Sequence, residues 1–292
     1  ILENQQHIKS DLFIDCSGFK QVLAKEPKNK TDLSDRLYVN TALSAHVDYQ
    51  DKQQEMHPYT TCEALQCGWS WHIPLQSRIG TGLVFNRTIT PIQEAEDLFI
   101  KYWNKRITKN ELKVHHWDPF VNQKPWLGNV VSIGLSAGFI EPLESTSIAL
   151  ATRAIEVLDE SLKGGFYQHL DVDMFNITMS YFYEQAIDFV NMHYSYTQRK
   201  SPFWDYVKEQ HKKSYMQHFI ESRLNDADYR SFYSQKFSFF TGHSWASLLY
   251  QLIKKEMPIF LGACRFLETA ISAYQSIVKL LTCYIYPQQC SR

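Results

Sequence analysis

Apolar residues in this chain follow two periods, and the change from one to the other marks its most informative stretch. A short apolar run, Val130-Val-Ser-Ile133, has the length of a buried strand. From Ile148 onward the apolar positions fall three and four apart, at Ile148, Ala151, Ala154, Ile155, Leu158 and Leu162, which predicts an amphipathic helix. Ser145 or Thr146 can cap its start, and Gly164-Gly165 end it. Residues 134–147 are then a glycine-containing loop that delivers the chain to a helix N-terminus. Unpaired backbone N–H groups and a partial positive charge gather there, so a small anion or an electron-rich ring edge is the natural guest. Glu141 and Glu144 lie in the same loop; each is an acid/base candidate or merely a charge that favours a helix start.

Upstream, alternation predicts strands. Leu12-Phe-Ile14 reads as a buried strand ending near Gly18, and Tyr38–Tyr49 as a second. A meander follows over Cys62–Leu65, Gly68–Pro74 and Arg78–Phe85, with turns expected at Gly80 and Gly82. Period two puts Trp69 and Trp71 on one face of their strand and His72 on the other, in a structural position. Thr90-Pro91 opens a helix over 91–106 that turns Ala95, Leu98, Phe99 and Trp103 inward. Beyond Gly165 glycines and strand patterns thin, and aromatic-rich helices are expected over 171–194, 202–224, 244–256 and 266–284. The fold class expected is therefore mixed α/β, with 1–165 one region and 166–292 a helical second one.

Composition narrows the partners. The chain has 292 residues, 44% hydrophobic and 21% charged, with a net charge of -1. That balance offers no electrostatic case for nucleic acid or a membrane surface. Six cysteines without a C-x-x-C pair read as reduced, mostly buried thiols in a cytoplasmic protein, with no metal site. No G-x-G-x-x-G opens a β-α unit, so the chain reads as the C-terminal part of something larger.

Two segments carry a specific resemblance. Gly138-Phe-Ile-Glu-Pro-Leu-Glu-Ser-Thr-Ser-Ile148 resembles the signature loop of flavin-dependent halogenases, the tryptophan halogenase family, and Gly68-Trp-Ser-Trp-His-Ile-Pro74 resembles that family's W-x-W-x-I-P motif. Residues 184–204 are similar to a third family segment at Asp188, Phe189, His193, Tyr194, Arg199 and Trp204. Residues 12–19 resemble a segment of the flavin-binding module, although Asp15 alone reads equally as a strand entering a sheet.

The resemblance implies a Rossmann-like flavoprotein module of the monooxygenase type. FAD, delivered reduced by a separate flavin reductase, would act with oxygen and a halide ion to make hypohalous acid. An upstream lysine, absent from this chain, would present the electrophile to an aromatic ring. Glu144 would be the general base, the backbone N–H groups of Thr146 and Ser147 the halide site, and Leu135 and Ile148 apolar flavin contacts. Trp69 and Trp71 would separate flavin from substrate, and His193 would stack on the substrate ring. Ser147 stands where the family often has glycine. The region Phe239–Leu249 lacks the tyrosine pair and glutamate that would grip free tryptophan, so indole or a similar ring is expected instead. The resemblance leaves a homodimer open, and implies that this chain alone would be inactive. An FAD-dependent aromatic hydroxylase and a non-catalytic aromatic-binding remnant are the competing readings.

Overall fold

A computed structural model describes residues 8–163 and 172–214, together with 217, 218, 239, 240, 244, 245 and 248. The strands are β1 (Phe13–Asp15), β2 (Lys30–Asp32), β3 (Thr41–Val47), β4 (Thr61–Leu65), β5 (Gly68–Pro74), β6 (Ile79–Phe85), β7 (Lys113–His116), β8 (Phe120–Asn122), β9 (Trp126–Leu127), β10 (Val130–Ser132) and β11 (Gly138–Phe139). The helices are the single turn α1 (Lys52–Glu55), then α2 (Ile92–Tyr102), α3 (Thr146–Leu162), α4 (Val172–Ser195) and α5 (Pro202–Gln210).

Three sheets result, and the mixed α/β class is the one expected. The largest is antiparallel in the order β4-β5-β6-β3-β7. A second has the order β1-β10-β9, with β1 parallel to β10, and a third the order β11-β8-β2. Because side chains alternate across a strand, the large sheet feeds two cores. One face packs Leu43, Leu83 and Phe85 against Ala95, Phe99 and Trp103 of α2 and its end. The other contributes Ala42, Trp69 and Val84 to a core shared with α3, α4 and α5, through Leu150, Ala154, Phe175, Met179, Tyr194 and Trp204. That core holds residues from both sides of position 165. Helix α4 is also tied to β9, where Asn176 accepts from the Trp126 N–H at 2.8 Å and donates to its carbonyl at 2.9 Å.

Several expectations need correction. Gly80 and Gly82 are not turns but residues of β6. Ile14 is half exposed; the buried member of β1 is Asp15. On α3 the covered stripe is Thr146, Leu150, Ala154, Leu158 and Ser161, while Ile148 and Ile155 are 78% and 58% exposed and Leu162 is also uncovered. The helix carries two apolar stripes, and spacing alone does not say which one the core takes. Helix α5 stops at Gln210 rather than 224, because His211 turns extended and its Nδ1 pairs with the Tyr38 hydroxyl at 2.9 Å. Cys67 is buried, but Cys16 and Cys62 are exposed, and all three are free thiols. The helices expected over 244–256 and 266–284 lie outside the described residues, save Ser244, Trp245 and Leu248. Among the described residues no helix is long and apolar enough to cross a membrane.

Asp15 shows how the turn after β1 is held. Its carboxylate accepts from the backbone N–H groups of Ser17, Leu23 and Ala24 at 2.8–2.9 Å and from the Ser17 hydroxyl. Burial opposes its ionisation, yet these bonds outweigh burial and hold the carboxyl below its ordinary range. Such a group contributes stability above the unfolded pKa and loses it as pH falls through the folded one. Asp15→Ala is expected to destabilise by about 2 kcal/mol in urea titrations at neutral pH, with the gap closing under acid. An unchanged gap at low pH would contradict this account.

Candidate active site

The loop between β10 and α3 takes its shape from its own residues. Gly134, at φ 71°, begins a short 3-10 turn, and a side chain there would lie 3.9 Å from Ala151 of α3. After β11 the chain passes Glu141 and Pro142, then adopts the left-handed conformation twice in succession, at Glu144 (φ 64°) and Ser145 (φ 52°). Non-glycine residues rarely do this, and the double reversal swings the chain directly into α3. Ser145 takes the N-cap position but makes no side-chain capping bond. The Oγ1 of Thr146 is buried without a partner. The first N–H groups of α3, those of Thr146 and Ser147 among them, therefore have neither an intrahelical acceptor nor a side-chain cap.

Both glutamates of the loop are gripped by α4, at adjacent residues. His193 Nε2 donates to Glu144 Oε1 at 2.9 Å, while its Nδ1 lies 3.0 Å from the carbonyl of Phe189. The His193 bond holds the Glu144 carboxyl below its usual range against a partial burial that opposes this. One residue on, the Tyr194 hydroxyl donates to Glu141 Oε1 at 2.7 Å. Glu141 is wholly buried, and burial pushes its carboxyl up to about 8 despite hydrogen bonding.

The tryptophan strand borders the same region. Trp69 is buried and Trp71 half-buried, with ring centroids 6.0 Å apart and planes inclined at 57°. Trp71 lies across Gly82 of β6, where an added Cβ would stand 2.0 Å from Cη2. Glycine in β6 thus opens the slot that the indole fills. On the other side Trp71 is paired in register with Cys62 of β4. Trp69, with Trp71 packed against it, shares one core with Leu143, the neighbour of Glu144, and Leu150 of α3. His72 points the other way, onto Trp103 and the Tyr102 hydroxyl, as its parity requires.

The structure thus brings Glu144, His193, the head of α3 and the Trp71 strand together. Leu135 is half-buried beside Gly134, whereas Ile148 projects outward from α3. Sequence reasoning missed Tyr194 as a partner of Glu141, and the aromatic wall beside His193. There Phe240 stacks on Phe189 at 3.9 Å and Trp245 meets it edge-on at 4.8 Å. No group of three metal-binding side chains occurs among the described residues.

A fold with this loop at the head of a helix, beside a paired-tryptophan strand, has solved counterparts among flavin-dependent halogenases. Xcc4156 from Xanthomonas campestris superimposes with a TM-score of 0.73 at 27% identity, covering 85% of this chain and 49% of that one. BrvH from Brevundimonas sp. BAL3 gives 0.71 at 29%, over 85% and 50%. The family described as tryptophan halogenase matches residues 1–257, and the chain belongs to that family. Among its relatives, tryptophan 6-halogenase ThaL from Streptomyces albogriseolus is 33% identical over 205 residues, 69% of this chain and 39% of ThaL. The chain thus spans between about two-fifths and half of the length of these three proteins. The residues present fit a flavin and an anion at the head of α3, where uncapped N–H groups adjoin the Gly134 turn and the unpartnered Thr146 hydroxyl.

Proposed function

We propose that the protein carrying this chain is an FADH2-dependent halogenase acting on an electron-rich aromatic ring such as indole. The observation that carries the reading is the Glu144–His193 pair, held at the uncapped start of α3, where Leu143 packs into the core of the tryptophan strand. Reduced FAD, supplied by a separate flavin reductase, would provide hypohalous acid from oxygen and a halide ion. What remains is done by side chains and backbone. The N–H groups of Thr146 and Ser147 hold the halide, replacing water that a buried anion would otherwise lack. Leu135 and Ile148 offer apolar surface to the flavin ring. Trp69 and Trp71 wall the flavin off from the substrate, so that only a small electrophile passes.

Once a C–X bond has formed at the aromatic carbon, its C–H bond must break. Glu144 is the base that takes this proton, and its depressed pKa keeps it ionised and ready at neutral pH. His193 sets the direction of the carboxylate and keeps a ring face for the aromatic, alongside Phe189. Residues 166–292 serve on this reading as the substrate side, and 1–165 as the flavin and halide side.

The test is to supply the native protein with reductase, FAD, bromide and indole, and to look for bromoindole by mass spectrometry. Absence of product with any electron-rich ring would sink the reading. Substrate preference follows from the apolar surroundings of His193. Phe239–Leu249 also lacks the tyrosine pair and glutamate that would hold a zwitterion's charged ends, which would then be desolvated unpaired. Indole should therefore outcompete free tryptophan by about ten-fold or more, roughly 1.4 kcal/mol. Both products are read from one competition vial, and equal yields would refute the preference.

A further inference from the structure

Glu141 has no part in the chemistry above, yet three elements converge on it. It is fully buried between Ile140 and Pro142, three residues ahead of the base. The Tyr194 hydroxyl of α4 donates to its Oε1 at 2.7 Å. The Trp69 indole of β5 packs in the same core as Ile140, Leu143 and Tyr194, the residues on either side of Glu141 and its hydroxyl partner. The Trp69 indole N–H and the Glu141 Oε2 are each buried without a hydrogen-bond partner. Tyr38 closes the assembly, meeting the Tyr194 ring edge-on at 5.2 Å and binding His211 through its hydroxyl.

A buried carboxyl with one oxygen left unpaired is an expensive way to fill space, and an apolar side chain would serve packing better. Its geometry suggests what it does instead. The adjacent residues His193 and Tyr194 hold Glu144 and Glu141, so the loop is clamped to one helix at two points three residues apart. Tyr194 ties down the near end of the left-handed reversal at Glu144 and Ser145, on which the direction of the base depends. The inner tryptophan of the wall, Trp69, packs in the same core as Tyr194 and the flanking Ile140 and Leu143. One carboxyl thereby couples the loop, the helix and the tryptophan strand.

We propose that Glu141 is a positioning residue for halogenation, acting with Tyr194 to hold Glu144 and Trp69 in register. It acts through those side chains and touches neither halide nor ring. The inference rests on the halogenase reading and deepens it. Misplacing a base by a fraction of its hydrogen-bond length lowers turnover while leaving affinity for the aromatic largely intact.

The test uses the native protein with reductase, FAD, bromide and indole. Tyr194→Phe deletes one hydroxyl, and Glu141→Leu removes the carboxyl. Each should lower kcat for bromination by about ten- to a hundred-fold, with little change in KM for indole and with flavin oxidation continuing unproductively. Glu141→Gln keeps the shape and an acceptor for Tyr194, and should restore turnover to within a few-fold of wild type.

A second readout needs neither flavin nor turnover. The folded Glu141 carboxyl keeps its proton up to about pH 8, whereas in the unfolded chain it ionises in the ordinary carboxylate range. Wild-type stability is therefore lost as pH rises between those limits, and the gap closes below them. Tyr194 and Tyr38, the titratable groups facing Glu141, are both pushed upward by burial and stay protonated across this window. The melting temperature of Glu141→Gln should thus gain on wild type from pH 5 to pH 8. Folded Tyr194→Phe and Glu141→Leu proteins that brominate like wild type would overturn the inference while the halogenase reading stood. So would a melting difference that is flat with pH. Failure of the wild type itself to brominate would overturn both.

Discussion

Glu144→Gln should leave flavin oxidation running and lower bromination by about 10²–10⁴-fold, the usual loss when a positioned base is removed. The substitution is almost isosteric, and the amide oxygen can still accept from His193 Nε2, as the carboxylate does at 2.9 Å. The loop should keep its shape, so what disappears is the capacity to take a proton. An amide cannot accept one near neutral pH, while the native carboxyl is held ionised by His193. The measurement pairs oxygen consumption with bromoindole yield in the same reaction. A variant that brominates within a few-fold of wild type would reduce Glu144 to a charge favouring the helix start.

Gly82→Ala should be the most damaging small substitution in the large sheet. The added methyl would stand 2.0 and 2.2 Å from Cη2 and Cζ2 of Trp71 and 2.5 Å from the Leu43 carbonyl oxygen. The indole can swing away; the carbonyl, in the neighbouring strand β3, cannot move without breaking the pairing. We expect a loss of about 3 kcal/mol in urea unfolding, at the upper end of the range for overpacked cores. Functionally, an evicted Trp71 opens the wall, so part of the oxidant should escape and react with a scavenger in bulk solution. Adding Trp71→Leu to Gly82→Ala should recover part of the stability, because the two changes share one contact. Additive losses in the double variant would show that the clash with β3 dominates.

How much of this the sequence showed depends on the range of the interaction. The meander was readable almost to the residue, since strand β5 spans the same Gly68–Pro74 that alternation marked. The head of α3 was readable too, because a strand period gives way to a helical one across a short loop. Three features were not. Gly82 looked like a turn because glycine's commonest use is backbone freedom, and only the cross-strand register shows an indole lying over it. The buried side of α3 was ambiguous because its apolar residues form two stripes, one of them headed by Ile148. The Glu141–Tyr194 contact spans 53 residues, and nothing local to either residue announces the other.

The two left-handed residues at the start of α3 also bear on how this loop can change. Libraries that randomise position 145 will pass through a conformational sieve before any test of chemistry. Glycine, asparagine and aspartate enter that backbone region readily, while valine, isoleucine and threonine do not. At position 144 the sieve and the chemistry overlap. Aspartate tolerates the backbone and keeps the charge, but it is one methylene too short to span the 2.9 Å contact with His193 from the same Cα. Glutamate is the longer of the two carboxylates the code offers, so variation that retunes this loop must arise at its neighbours.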